Sequence, residues 1–483
     1  MIKYILLKEI QLYLLNKSML LTWLLIIVLF LLNAIISVSY YRDLQNKHLE
    51  VVIKNNQKLE FDATGSGSHK EMMSLFTGQP YEKINTLADI TGLSQEISKP
   101  PSILVFMSAT SAGLVPDGAL MNYFEEPEFA SFSKHNPYIN SNLSIDWTTV
   151  LIYIISFLCI CFSYNAFSGE REDGTLQLMF SNSVSRSSII AAKYLSLLTV
   201  FIIPLLLGII ICCIIFEISQ TFNMGLIEYA KIAYFFCFSV LIISITILMG
   251  LLISALTQKS YISLILSLVC WALAVIVIPN VSWIIGQQVD KVPPEARIQQ
   301  EIRQQISALE DCYMGWQGNN TPEELVLARK DCMERQINVH NSLWSAYHNM
   351  QFEQTHKSIG ISKISPFGLF RFFGDQISGN NFYEYMFFFE QIKNYQLTYQ
   401  NYIVSKDQAD PDSRHLISSD SFMAQFMSQQ NINPAEVPKF PEQSISFEQI
   451  IANSLFDLSI LCFWMIGLFV LSFITFIKYD VRQ

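Results

Sequence analysis

Six long apolar runs, at residues 19–40, 148–167, 194–216, 232–256, 261–285 and 455–477, constrain this chain more than any other feature. Crossing the hydrocarbon core of a bilayer as a helix takes about 20 mostly apolar residues, more than a buried helix of a soluble domain usually has. The sequence therefore predicts an α-helical integral membrane protein with six transmembrane helices. Pro204 and Pro279 fall inside the third and fifth runs. A kink at either is tolerable where neighbouring helices re-satisfy the freed carbonyl. Only 15% of the 483 residues are charged, against about 25% in soluble domains. The formal net charge of −10 argues against nucleic acid as a partner, which needs a basic face.

Lysine and arginine in the short links set the orientation. Lys3, Lys8 and Lys17 precede the first run. Arg171, Arg186 and Lys193 lie in the second link, Lys259 in the tight 256–260 link, and Lys478 and Arg482 in the tail. The link near 217–228 holds Glu217 and Glu228 and no basic residue, with Lys231 as a minor exception. Both termini are thus expected inside. The first run has no small-residue cleavage site, so it is expected to stay as an anchor.

Two large polar regions, 41–147 and 286–454, are then expected outside, as a mainly α (α+β) domain built from two inserts. "LEVVIKNNQKLEF" (49–61) alternates enough to suggest a strand or hairpin, and "PSILVFMSATSAGLVP" (101–116) an extended stretch ending at a proline turn. "PPEARIQQEIRQQISALEDCYMGW" opens with proline as helices do, "QGNN" breaks it and "TPEEL" restarts it, which reads as a helical hairpin. Cys312 and Cys332 fall on its two arms, so a disulfide is a candidate in an oxidising compartment, against two unpaired thiols. The other seven cysteines sit in apolar runs and read as small apolar fillers. The aromatic-rich stretch 361–396 reads as domain core, with a partner surface or a ligand pocket as alternatives, and 406–445 as an exposed loop or linker.

Metal and catalytic chemistry find no support. His340, His348 and His356 recur every eight residues, a spacing that does not share a helical face. No P-loop, H-E-x-x-H, G-x-S-x-G or G-x-G-x-x-G is present. Asp457, near the start of the last run, reads as a boundary residue rather than a proton carrier. Without a catalytic set, a membrane-embedded enzyme is the weakest reading. The energy for any work is expected from another polypeptide.

The link 168–193 opens "SGEREDGTLQLMFSNSVSR". "SGERED" is expected to continue the second helix out of the lipid. Gly174 can take the left-handed conformation that ends a helix, and Thr175 can cap a short helix over "LQLMF". A serine after it can cap the third span helix. Such a lever can seat in a cytoplasmic partner and move two spans at once.

The segment "GEREDGTLQLMFSNSVSRSSIIAAKYL" resembles the E-R-E-x-G-T-L … S-R … K signature of ABC-2 type transporter permeases. "NPYINSNLSIDW" and "SPFGLFRFFGDQISG … YEYMFFFEQIKNY" resemble the branch with a large extracytoplasmic insert, similar to gliding-motility and nitrous-oxide-reductase maturation permeases. The resemblance implies the permease subunit of a bacterial ATP-driven exporter in the inner membrane. It further implies that Glu170, Arg171, Glu172, Gly174, Thr175, Leu176 and Arg186 carry coupling to a separate ATPase, with residues 1–18 as an interfacial helix. ATP and Mg would sit on that ATPase, with no cofactor on this chain. Other implied partners are a second permease protomer, identical or paralogous, and a periplasmic protein. The rival reading is a mechanotransmitter that drives a periplasmic partner and transports nothing.

Overall fold

The computed structural model describes residues 2–61, 86–108, 118–129, 145–176, 185–309, 322–417, 426–430 and 432–478. The "QGNN" break, Cys312, Arg482, most of "NPYINSNLSIDW" and "LQLMF" beyond Leu176 lie outside the described residues.

Helix α1 (Ile2–Leu15) stops at Asn16, whose side chain accepts a hydrogen bond from Ser18 N at 3.0 Å and so caps α2 (Lys17–Phe61). The second apolar run forms α4, made of Trp147–Thr149, π-helical Val150–Ile155 and Ser156–Ser163; a turn leads to the short α5 (Ser168–Glu172). Then follow α6 (Arg186–Ser219), α7 (Leu226–Leu256) and α8, made of Ser260–Ala272, π-helical Leu273–Val277 and Ile278–Val289. The last apolar run lies in α13 (Phe447–Ile477). Among the described residues six helices are long and apolar enough to cross a membrane, and the chain is mostly helical. The centre of the bundle is α7: 67% of its apolar window is buried, against 17% for α8 and for α13.

Described segments of the two polar regions pack together beside the bundle, at what is here called its distal end. A three-stranded antiparallel sheet, β1 (Gln95–Ser98), β2 (Gly118–Met121) and β3 (Glu128–Phe129), pairs Gln95 with Met121 and Ala119 with Phe129. Helices α9 (Glu295–Leu309) and α10 (Pro322–Ser362) pack as a hairpin, and α10 also packs along the last part of α8. Helix α12 (Phe382–Gln408) supplies the core against the sheet and against α3 (Leu87–Thr91) with Phe388, Ile392, Tyr395, Tyr399 and Ile403. Tyr395 donates to Gln95 Oε1 at 2.8 Å and Tyr399 to Ile90 O at 2.8 Å. Burial pushes the Tyr395 hydroxyl up to about 12.

Three expectations are corrected here. Residues 49–61 form the end of α2, not a strand or hairpin. The segment has no Gly or Pro, and its Leu, Lys, Glu and Gln are good helix formers. It meets the sheet through a side chain, since Asn55 Oδ1 accepts from Glu96 N at 3.2 Å and Asn55 Nδ2 donates to Glu96 O. Residues 103–107 are turns rather than an extended run, folded into the distal top of the bundle. There Asn33 of α2 donates to Phe106 O at 3.2 Å, Thr148 N to Met107 O at 3.0 Å, and Phe106 packs on Trp147 at 4.9 Å. The 406–445 stretch is irregular past Gln408, but it is not simply exposed. Met427, Ile432 and Val437 join the core beside α12, and buried Asp407 accepts from Ser428 N at 2.8 Å and from Ser413 Oγ at 2.7 Å.

The aromatic stretch also holds α11 (Pro366–Ile377), in which every residue is buried. It is wedged among α4, α7, α8 and α13, with Phe373 stacked on Phe238 at 3.5 Å. At Gly374 an added Cβ would run into Thr148 Oγ1, so the wedge needs glycine there. Its N-cap, Ser365, also repairs α8. In the π-helical turn Ile278 N bonds to Leu273 O. The next bond of that ladder, from residue 279 to Ala274 O, is lost because proline has no N–H. Ser365 Oγ donates to Ala274 O at 2.6 Å instead.

Candidate functional site

The proximal end of the bundle carries the link singled out in the sequence. Lys193 reaches Glu9 of α1, and Arg186 donates to Ile477 O, so the first and last described helices meet the link at this end. The link does not run straight on from α4 as expected. Residues 164–167 form a turn before α5 begins. That elbow frees backbone groups which must find partners. Serines of two other spans supply them. Ser254 Oγ of α7 accepts from Phe167 N at 2.9 Å and from Ser168 N at 3.0 Å, and Ser263 Oγ of α8 donates to Tyr164 O at 2.6 Å.

Beyond the elbow the charged residues divide into two sets. Glu170 and Arg171 turn inward. Lys193, 3% exposed, donates to Glu170 Oε1 at 2.7 Å and lies 3.6 Å from Glu9 Oε1. One cation therefore ties α1, α5 and α6 together. Arg171 donates from Nη1 to Thr257 O at 2.6 Å and from Nη2 to Ala255 O at 2.8 Å. Those carbonyls belong to the C-terminal end of α7, where backbone acceptors are unpaired and a cation meets the negative end of the helix dipole. Arg186 does the same for α13 through Ile477 O.

Glu172, Asp173, Gly174 and Thr175 are the exposed tip, while Leu176 is 2% exposed and joins the main core. Gly174 has φ +68° with nothing within 4 Å of an added Cβ, so glycine is needed for the turn and not for space. Thr175 was expected to cap a following helix. Its hydroxyl donates back to Glu170 O at 3.2 Å, closing the end of α5, and the rest of the helix it was expected to cap lies outside the described residues. Ser185 caps α6, accepting from Ser188 N at 3.3 Å. The geometry is an acidic, hydrogen-bonded turn on a foot fixed to α1, α6 and α7. Charge-assisted bonds therefore join the base of the tip to those helices.

Lys193 entered the sequence reading as an orienting charge and as the K of the signature, not as a coupling residue, and Glu9 and Ser254 did not enter it. Lys193 carried a readable signal, being a lone ammonium inside an apolar helix, which demands a carboxylate partner. Glu9 and Ser254 had none, because their partners lie far off in sequence.

The other sequence candidates lie in or beside the distal body. Cys332 is 1% exposed, and Cys312, its expected partner, lies outside the described residues. His348 is buried and stacks on Trp344 at 5.6 Å, while His356 faces Tyr383 at 6.2 Å. No three His, Cys, Asp or Glu side chains gather as a metal site among the described residues. Asp457, 1% exposed, is ion-paired to Lys363 at 2.9 Å, and that ammonium also lies 4.0 Å over the Phe372 ring.

The family model described as ABC-2 family transporter protein matches residues 4–325. The match spans α1 to the start of α10 and includes the elbow and its tip. No curated protein matches the chain.

Proposed function

This chain belongs to the ABC-2 family of transporter proteins, and from that premise we propose that it is the permease subunit of an ATP-driven exporter, moved by a separate ATPase that grips the turn at Glu172–Thr175. It is a multi-pass membrane protein, the membrane component of its transporter, and such components work with ABC ATPase subunits. In this proposal ATP and Mg sit on the partner and the proximal end faces the cytoplasm of a bacterial inner membrane. The distal body is extracytoplasmic, and it stands as a domain of two inserts, 41–147 and 286–454, of the large-insert branch. A Cys312–Cys332 disulfide belongs to the same proposal, as does pairing with a second permease protomer.

The observation that carries the reading is the division of labour in the link. Glu172, Asp173 and Thr175 are exposed on a glycine turn, whereas Glu170 pairs with Lys193 inside α6 and Arg171 and Arg186 bond to the C-terminal ends of α7 and α13. We assign contact to Glu172, Gly174 and Thr175, and transmission to Glu170, Arg171, Leu176 and Arg186. A ligand is driven only if it binds the two states of the bundle differently. The test is the ATPase activity of the co-purified complex. Glu172→Lys with Asp173→Lys should uncouple it from the permease while the melting temperature of the chain stays unchanged. Unaltered coupling in that variant refutes the assignment.

A second reading, force transmission to an extracytoplasmic partner without transport, is favoured by the α11 wedge, which packs the distal body among four spans. Vesicles that hydrolyse ATP and accumulate no substrate, together with a co-purifying extracytoplasmic protein, support it over export.

A further inference from the structure

Helices α10, α12 and the first two turns of α13 line an open cleft of about 550 Å³ in the distal body. That size suits a small organic molecule. Its wall is aromatic, lined by Phe352 of α10 and by Phe382, Tyr383 and Phe387 of α12. The rings pack edge to face, with 5.8 Å between Phe352 and Phe382. Glu353 and Glu390 stand at its rim, both exposed. The other ionisable lining groups are His356 and Tyr383, and no lysine or arginine lines the cavity.

The rim carboxylates lie beyond salt-bridge distance of a cation among the described residues, although the Lys357 ammonium, one helical turn on from Glu353, feels its charge. Each lysine on the flanking helix faces is engaged elsewhere: Lys357 with Asp290 at 2.7 Å, Lys363 with Asp457 at 2.9 Å, and Lys393 with Glu126. Neither Glu353 nor Glu390 has a salt bridge or a side-chain hydrogen bond among the described residues. Ring faces attract a cation through their quadrupoles, and a carboxylate at the rim adds to that attraction. Past the cavity floor, Leu455 and Phe456 of α13 are exposed on an apolar helix, so an apolar body has a surface to follow.

We propose that this cavity binds an organic cation with an apolar body, its ammonium seated against the rings of Phe352, Phe382 and Tyr383 and held at the rim by Glu353 and Glu390. The site goes beyond the transport reading and does not rest on it, because its readout is binding by the chain itself.

The experiment is calorimetric titration of the purified full chain in neutral detergent. Benzyltrimethylammonium is the probe, with benzyl alcohol as its neutral and benzenesulfonate as its anionic counterpart. Saturable binding of the cation is expected, with an affinity about tenfold weaker in Glu353→Gln with Glu390→Gln, the size of one to two cation–π or charge contacts. Both substitutions are on exposed side chains, so the melting temperature should not move. Tyr383→Leu, which removes one ring face, should weaken binding several-fold. Dodecyltrimethylammonium, below its micelle concentration, separates the sources. Much tighter binding than that of the benzyl probe assigns the apolar body to the α13 face and a membrane-borne ligand, and equal affinity assigns a water-soluble one. Binding of neither cation, binding of the neutral or the anionic counterpart as tight as that of the benzyl cation, or undiminished binding by the double glutamine variant overturns the proposal.

Discussion

Replacing Lys193 with methionine keeps most of the side-chain volume and removes one charge from the foot of the link. The ammonium it removes is 3% exposed and faces Glu170 at 2.7 Å and Glu9 at 3.6 Å. Losing one partner of a fully buried pair costs about 3–5 kcal/mol, because the remaining charge is stranded out of water. Here the stranded side chains are 23% and 13% exposed, so solvent screens them in part and the expected loss falls to about 2–3 kcal/mol. Adding Glu170→Gln removes the nearer stranded carboxylate. The double variant should therefore recover more than half of the loss, and the interaction energy of the cycle should be at least about 1 kcal/mol. Reversible unfolding of the purified chain in mixed micelles, followed for wild type, both single variants and the double, measures all four corners. A Lys193→Met variant within about 0.5 kcal/mol of wild type, the spread of ordinary surface substitutions, refutes the claim that this cation ties α1, α5 and α6 together.

Three further outcomes are expected. Gly374→Ala puts a methyl against Thr148 Oγ1 where α11 meets α4, so it should destabilise by about 1–3 kcal/mol as overpacking does, read as a fall in melting temperature; an unchanged melt contradicts the wedge. Lys363→Met should cost about 2–4 kcal/mol by stranding Asp457, which is 1% exposed, and Asp457→Asn in the same chain should restore most of it. Burial lowers the pKa of His348 from 6.5, despite the nearby Glu126. The unfolded chain then takes up a proton that the folded chain refuses. Stability is full above about pH 6.5 and falls as pH drops below it, so His348→Phe should flatten the melting curve against pH between 7.5 and 5.

The spans were legible because an unbroken apolar run of bilayer length has few other uses. The Gly174 turn and the Ser185 cap were legible because each is decided by a few neighbouring residues. What the sequence hid depends on distant partners. Residues 49–61 alternate weakly enough to suit a strand, and the choice of helix follows from continuity with α2 and from Asn55 meeting Glu96. The phenylalanines of α11 carried a helical spacing, but nothing local says that the helix is wedged among spans or that Ser365 bonds the carbonyl left open by Pro279. Glu170 and Arg171 stood out as a charged pair in a link. Their inward bonds to Lys193 and to the end of α7 come from positions 23 and 84–86 residues away.

The central claim is that an ATPase holds the glycine turn of the link. A photo-crosslinking residue placed at Thr175, with Leu397 on the exposed face of α12 as control, tests it in native membranes. The account predicts a crosslinked product from position 175 alone that contains a P-loop ATPase, and access to that position only for cytoplasmic reagents. Labelling of position 175 from outside the cell, or the absence of any ATPase from its products, contradicts it.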